Sequence, residues 1–451
     1  MTTQFETPAT RRGTVRSHLH RPISTAAAGV AVLSGLAVGV APGASAAAPP
    51  ATTRISVDSE GGQAAHDRNE PFGASADGRY VAFTAGAANL VPDDTNDTWD
   101  VLVRDRRTGI TSRVSQSSSA VAGDGASFGQ SMSPDGRYVS FTSDATNLVP
   151  GDTNGAYDGF VHDRRTGRTS RVTLTNGDAQ ADARSYTPVI STDARFVAFV
   201  SDATNVVRGD TNGVADIFLR DRQAGTTVRV SGANADAPSD APAISDDGRY
   251  VTFTSEAALV PGDTNGIADV FIRDLRTGSL RRVNVSTTGA QANALTVSPT
   301  MSADGRFVAF SSEAALVPGD ANGVADVFLR DVRAGTTVRA SLAGDGGQTA
   351  GGSSYGPMMS PDGRHVVFSS DATNLVAGDT NGVADVFLRD LRGGTTVRAS
   401  LAADGAQGND GSYSGVVTRN GRYVAFASAA TNLVAGDTNA VTDAFLRRMP
   451  R

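Results

Sequence analysis

Seven times along this chain one phrase recurs: Ser-x-Asp-Gly-Arg-[Tyr/Phe]-Val-x-Phe, a variable stretch, then Asp-Thr-Asn-Gly-x-x-Asp-Val-Phe-Leu-Arg-Asp. The first half opens at Ser75, Ser133, Ser191, Ser245, Ser302, Ser360 and Thr418, at intervals of 54 to 58 residues. A long, near-constant period means stacked supersecondary units, each burying a face against its neighbour. Such scaffolds serve binding modules, structural proteins and enzymes alike, so the period constrains architecture far more than function.

Each unit carries four strand signals and no helical one. In the second unit, Ser127 to Met132 leads into Ser133-Pro134-Asp135-Gly136, a two-residue hairpin turn that needs positive φ. Arg137-Tyr138-Val139-Ser140-Phe141 follows, rich in aromatic and β-branched residues. After a longer loop come Asp158-Gly159-Phe160-Val161-His162-Asp163, a turn at Arg165-Thr166-Gly167, and Thr169 to Thr173. Four antiparallel strands in a unit of this size make a β-propeller blade. Third strands such as Asp326-Val327-Phe328-Leu329 are continuously apolar, as expected of a sheet covered on both faces. A parallel β-helix has shorter coils and no paired hairpins, and fits poorly.

The last unit ends after Asp443-Ala444-Phe445-Leu446-Arg447, one strand short. Thr52-Thr53-Arg54-Ile55-Ser56-Val57 matches the fourth-strand phrase Thr337-Val338-Arg339-Ala340-Ser341. The expected fold is therefore all-β: a seven-bladed propeller of four-stranded antiparallel blades. A strand at about 53–57 completes the seventh blade and removes a free edge. The repeats fall at about 69–115, 126–173, 183–231, 237–285, 293–341, 352–400 and 409–448, and 47–451 reads as one domain.

Residues 1–46 read as a cleaved signal peptide. Arg11, Arg12, Arg16 and Arg21 form a basic segment, Ala26 to Val40 is apolar, and Ala44-Ser45-Ala46 supplies small residues for cleavage. Secretion is the expectation, by the general or the twin-arginine route. No further stretch is apolar enough to span a membrane. With no cysteine, the fold rests on its core and not on disulfides. Every one of the 40 basic residues is arginine, the mark of a GC-rich bacterial genome rather than of chemistry. Residues 1–46 hold four arginines and Glu6. Without them 36 basic side chains face 46 acidic ones, a net charge of −10 against −7 for the whole chain. That balance disfavours nucleic acid and favours cations or basic partners. A monomer is expected.

The repeated phrases Ser-Pro-Asp-Gly-Arg-x-Val-x-Phe and Val-Phe-Leu-Arg-Asp resemble the propeller repeats of the TolB-like family, which are WD-repeat-like in organisation, over residues 53–448. The resemblance implies an exported bacterial propeller that binds proteins or glycans; some members of the family carry a peptidase domain. TolB itself has a further N-terminal α/β domain with no counterpart here.

Strand order puts the tight turns on one face and the long loops on the other, and long loops usually do the work. Those loops repeat three oxygen-bearing side chains. The first is Asp94, Asp152, Asp210, Asp263, Asp320, Asp379 and Asp437. The second is Asn96, Asn154, Asn212, Asn265, Asn322, Asn381 and Asn439. The third is Asp100, Asp158, Asp216, Asp269, Asp326, Asp385 and Asp443. Calcium, which takes about six to eight oxygens, is one reading, as a structural ion stiffening the loops. Asx-turn chemistry is the other, since Asn-Gly is a favoured turn. Asn96-Asp97 and Asn439-Ala440 lack the glycine yet keep the oxygens. Before the last aspartate, blades 1 and 2 have Trp99, the chain's one tryptophan, and Tyr157. Two aromatics on a loop face could stack on a sugar or anchor a protein partner.

Catalytic signals are weak. His66, His162 and His365 lie in different blades, no Gly-x-Ser-x-Gly elbow precedes a helix, and no cysteine nucleophile exists. The Asp-Gly-Arg arginines read as solvated hairpin residues. The expected function is a secreted, non-catalytic binding or scaffold propeller whose protein or glycan partner sits on the long-loop face. A carbohydrate-active hydrolase or lyase working at the axial mouth is the alternative.

Overall fold

Alternation of short strands with Gly-rich turns folds the chain into seven four-stranded antiparallel sheets, arranged as a seven-bladed, all-β propeller. The computed structural model describes residues 51–450 except 67, 233 and 234, and Pro49–Arg451 forms one compact unit. The signal peptide read at residues 1–46 lies outside the described residues. Among those described, no helix is long and apolar enough to cross a membrane. In blade 2 the strands run Ser127–Met132, Tyr138–Ser143, Asp158–Asp163 and Arg168–Arg171, from the axis outward, and the other blades repeat this order. Each innermost strand touches the innermost strands of both neighbouring blades, which closes the ring around an axial channel.

Blade 7 is completed by Thr52–Arg54, paired antiparallel to Asp443–Arg448 with Thr53 opposite Leu446. This strand is shorter than the sequence pattern implies. After Arg54 the Ile55 N–H still reaches Ala444 O at 2.7 Å, but Val57 bridges Gln63 in a small linker hairpin instead. Similar bridges join Gln116 to Ala122, Leu174 to Gln180, Val285 to Gln291 and Leu401 to Gln407.

At the core of six blades lies an aromatic pair within the blade. The second-strand Phe lies opposite the third-strand Phe, as in Phe141 with Phe160 and Phe310 with Phe328, so the rings stack with centroids 5.6 and 6.0 Å apart. Blade 1 uses Phe83 and Leu102 at the same register. The hairpin glycines have a second task besides positive φ. At Gly305 (φ +68°) an added Cβ would lie 2.4 Å from Tyr250 Cδ2, so its absence lets the preceding blade's ring seat under the turn. Phe310 is fully buried. Its replacement by alanine is expected to cost about 3–5 kcal/mol in denaturant unfolding, through lost transfer energy and the cavity left behind. A cost near zero would contradict this account of the core.

Candidate functional site

The repeated aspartates do not converge on one another around the ring; each pair serves its own blade. In every blade the outer-strand arginine enters between them. Arg113 meets Asp94 and Asp100 at 3.1 and 3.0 Å, and Arg171 meets Asp152 and Asp158 at 3.0 and 3.3 Å. Arg229 joins Asp210 to Asp216, Arg282 joins Asp263 to Asp269, and Arg339 joins Asp320 to Asp326. Arg398 joins Asp379 to Asp385. Arg54, from the first strand of the chain, joins Asp437 to Asp443 and closes blade 7 in the same way.

The second aspartate of each pair is the most enclosed, 0–1% exposed. Its other oxygen receives a side chain from just beyond the outer strand: Thr173 donates to Asp158 at 2.8 Å, Ser341 to Asp326 at 2.6 Å and Asn284 to Asp269 at 2.5 Å. Burial pushes the Asp100 carboxyl up to about 6, against the opposing pulls of Ser115 and Arg113.

The asparagines work as connectors. In six blades the amide nitrogen donates to that second aspartate, for example Asn212 to Asp216 at 2.8 Å. It also donates to the linker entering the next blade: to Gly123 O from Asn96, to Ala181 O from Asn154, to Ala64 O from Asn439. In five blades the amide oxygen accepts a backbone N–H two residues on, as in Asn154 with Ala156 at 3.0 Å. This is an Asx-turn, and Asp97 and Ala440 hold the left-handed φ (51° and 55°) that glycine holds elsewhere. The amide therefore turns its nitrogen to the carboxylates, and the carboxylate oxygens are taken by guanidinium and hydroxyl donors. Among the described residues, no group of three or more histidine, aspartate or glutamate side chains is placed to hold a metal ion.

On the opposite face the Asp-Gly-Arg arginines are not simply solvated, contrary to the sequence reading. Arg79 makes a two-pronged pair with Asp105 at 2.9 and 2.6 Å, and Arg137 does the same with Asp163 at 2.8 and 2.6 Å. Each guanidinium also covers the following ring, 4.5 Å from the Tyr80 and Tyr138 centroids. These hydrogen bonds hold the Asp105 and Asp163 carboxyls well below the usual range. Their contribution to stability is present above about pH 4 and is lost as the pH falls through the depressed values.

The two aromatics singled out from the sequence are brought together at the channel mouth on the long-loop face. The Trp99 and Tyr157 carbonyls accept the N–H groups of Ser127 and Ser185, which open the next innermost strands, at 2.8 and 2.7 Å. Between them stands Phe128, with centroids 6.1 Å from Trp99 and 6.4 Å from Tyr157. Phe128 is the second residue after the linker, and blade alignment puts Tyr186, Tyr355 and Tyr413 at the equivalent place in blades 3, 6 and 7. Sequence reading missed these four, because it judged inner strands by overall composition. Burial pushes the Tyr355 hydroxyl up to about 12, with Asp371 adding to the shift. Neither His162 nor His365 joins the site. His162 is buried in a third strand with Nδ1 2.9 Å from Thr169 Oγ1 and is pushed down to about 4 by burial, and His365 is buried in a second strand.

No family model matches the chain, and no curated protein is similar to it in sequence. Solved structures are similar. Oligogalacturonate lyase from Vibrio parahaemolyticus aligns over 89% of this chain and 94% of its own, at 12% identity and TM-score 0.54. The β-propeller domain of the Trilobed protease from Pyrococcus furiosus aligns over 85% and 95%, at 10% identity and TM-score 0.51. A TolB structure from Agrobacterium tumefaciens aligns over 76% and 96%, at 17% identity and TM-score 0.41. The likeness is one of fold. That fold is the β-propeller, and the chemistry has to be argued from this chain's own residues.

The clamp makes a direct prediction. Arg398 is 4% exposed, with Asp379 and Asp385 at 3% and 0%. Arg398→Leu leaves two buried carboxylates without their cation and is expected to cost about 3–5 kcal/mol near pH 7. Burial already pushes the Asp379 carboxyl upward and Arg398 opposes it, so the variant's carboxyl rises further. A carboxyl with a raised folded pKa holds more protons folded than unfolded, so the variant regains stability as the pH falls from about 7 to about 5. Urea unfolding across that range measures the deficit; one that fails to narrow would contradict the assignment.

Proposed function

We propose that this chain is an exported, non-catalytic binding propeller that engages its partner at the channel mouth of the long-loop face. The observation that carries the reading is the Trp99–Phe128–Tyr157 group, half-buried aromatics from two neighbouring blades, with the Phe128 ring 6.1 and 6.4 Å from the other two. Rigid aromatic faces at the lip of a channel supply contact area at low entropic cost. The loops' repeated carboxylates are already engaged by arginine, so the Asp-x-Asn motifs act as structural clamps, and the fold needs no calcium.

The alternative, a carbohydrate-active hydrolase or lyase at the same mouth, requires an acid and a base held together at one point for proton transfer, whereas the exposed Glu256 and Glu313 stand on separate blades. Asp202 pairs with Arg184, and Asp144 and Asp371 bond the Tyr157 and Tyr355 hydroxyls. Both histidines described above lie buried in strands. Binding is the better supported reading.

Trp99 is a built-in reporter. Residues 47–451 titrated with oligosaccharides and peptides are expected to show a saturable change in its emission, reduced about tenfold or more in affinity by Phe128→Ala. No new reducing ends or unsaturated products are expected from the same mixtures. Steady product formation would move the assignment to the enzyme. Thermal melts in EGTA, calcium and magnesium are expected to coincide; a calcium-specific rise of several degrees would show that the ion binds the folded state.

A further inference from the structure

Resting on that reading, we propose that the mouth takes a basic peptide segment of a partner protein. One residue follows directly on each second strand. Its N–H donates to the carbonyl just before the innermost strand, as in Asp144 to Ala126 O at 3.2 Å, Glu256 to Pro238 O at 3.2 Å and Glu313 to Leu295 O at 3.1 Å. These bonds place the side chain at the rim of the channel. Five of the seven blades put a carboxylate there, and Glu256, Glu313 and Asp371 are exposed. Blade 4 adds Asp240 on its innermost strand, where its carboxylate accepts the Ala241 N–H at 2.6 Å. Arg184 pairs with Asp202 and also faces Asp240, which leaves the exposed Glu256 and Glu313 to keep the rim acidic on balance.

Charge is half of the match. Leu295 and Val297, two residues apart around the start of one innermost strand, are 51% and 38% exposed. Across the mouth stand the faces of Trp99 and Phe128. Carboxylates interleaved with exposed aliphatic and aromatic surface complement a segment carrying both basic heads and apolar stems. Arginine or lysine can lie over an aromatic ring while its charge meets the rim. A neutral glycan would use the rings but gain nothing from the charge, and a polyanion would be repelled. The chain's net charge of −7 favours the encounter with a cationic partner over long range.

The test uses calorimetry and Trp99 fluorescence on residues 47–451, with a short alternating lysine–leucine peptide, its glutamate–leucine counterpart, and a neutral oligosaccharide as probes. The lysine peptide is expected to bind saturably, with affinity falling roughly tenfold between about 0.05 and 0.5 M salt. Glu256→Gln with Glu313→Gln changes two exposed side chains that support no other part of the fold. It is expected to weaken the lysine peptide about three- to tenfold while the melting temperature stays put. No binding of the lysine peptide, equal binding of the glutamate peptide, or an unaffected double variant each overturns the inference. If the neutral oligosaccharide alone binds and shifts Trp99, the basic-peptide inference falls while the mouth remains a binding site. If no probe binds, both fall.

Discussion

A guanidinium buried between two carboxylates ties together three chain segments, and the rest of this propeller depends on that arrangement. The first aspartate belongs to the long loop, the second opens the third strand, and the arginine comes from the outer strand. Through the neighbouring asparagine the same group reaches the linker to the next blade. Desolvating such ions is expensive, and a well-packed apolar substitute could equal their stability. What apolar contacts cannot do is fix register: a strand slipped by one residue would turn its arginine to the other face and leave two buried carboxylates uncompensated. Seven copies make that error costly in every blade. Closure obeys the same rule, since Arg54 and Ser56 meet Asp443 as strictly local residues do elsewhere.

This division of labour separates scaffold from recognition. Side chains repeated from blade to blade are occupied with one another on both faces: Arg113 with Asp94 and Asp100 above, in a clamp found in all seven blades, and Arg79 with Asp105 below, in a pair found in six. Charges so engaged offer little to a ligand. Side chains that vary from blade to blade at a fixed position are the ones the scaffold leaves uncommitted. The position filled by Trp99, Tyr157, Ala215 and Thr442 is of this kind, and so is that filled by Phe128, Tyr186, Asp240 and Val297. Both lie at the mouth.

The ring, the blade order and the closing strand were legible because period, turn chemistry and continuous apolar strands all point the same way. The Asp-x-Asn loops were seen, but their partner was not. The arginine of Thr-Val-Arg recurs in phase with them, at Arg229, Arg339 and Arg398, and that recurrence was the available signal. Counting oxygens without asking which repeated cation could reach them left the arginine out of the reading. Likewise the Asp-Gly-Arg arginine is separated from its aspartate by a strand, a loop and another strand, and only the antiparallel register of Tyr80 with Asp105 brings them together. Composition could not reveal the mouth, because Phe128 and Tyr186 are single aromatics within strands of Ser, Gly and Pro; aligning blades position by position would have.

One irregularity shows how the scaffold tolerates variation. Successive turns are 58 residues apart from Ser133 to Ser191 but 54 apart from Ser191 to Ser245, so the linker entering blade 4 is short. Elsewhere a linker hairpin offers carbonyls to the third-strand arginine of the blade it enters, as Asp58 O does to Arg104 at 2.6 Å and Thr175 O to Arg220 at 2.9 Å. In blade 4 Arg273 has instead the carbonyl of Gly278, in its own turn, at 3.2 Å. The threonine that normally bonds such a linker, Thr227 opposite Arg220 in blade 3, is there Leu280 opposite Arg273. The clamp of Arg282 with Asp263 and Asp269 nevertheless persists. Losing the linker hairpin is tolerated where losing the clamp is not observed, which identifies the buried ion pair, and not the linker, as the element that defines a blade.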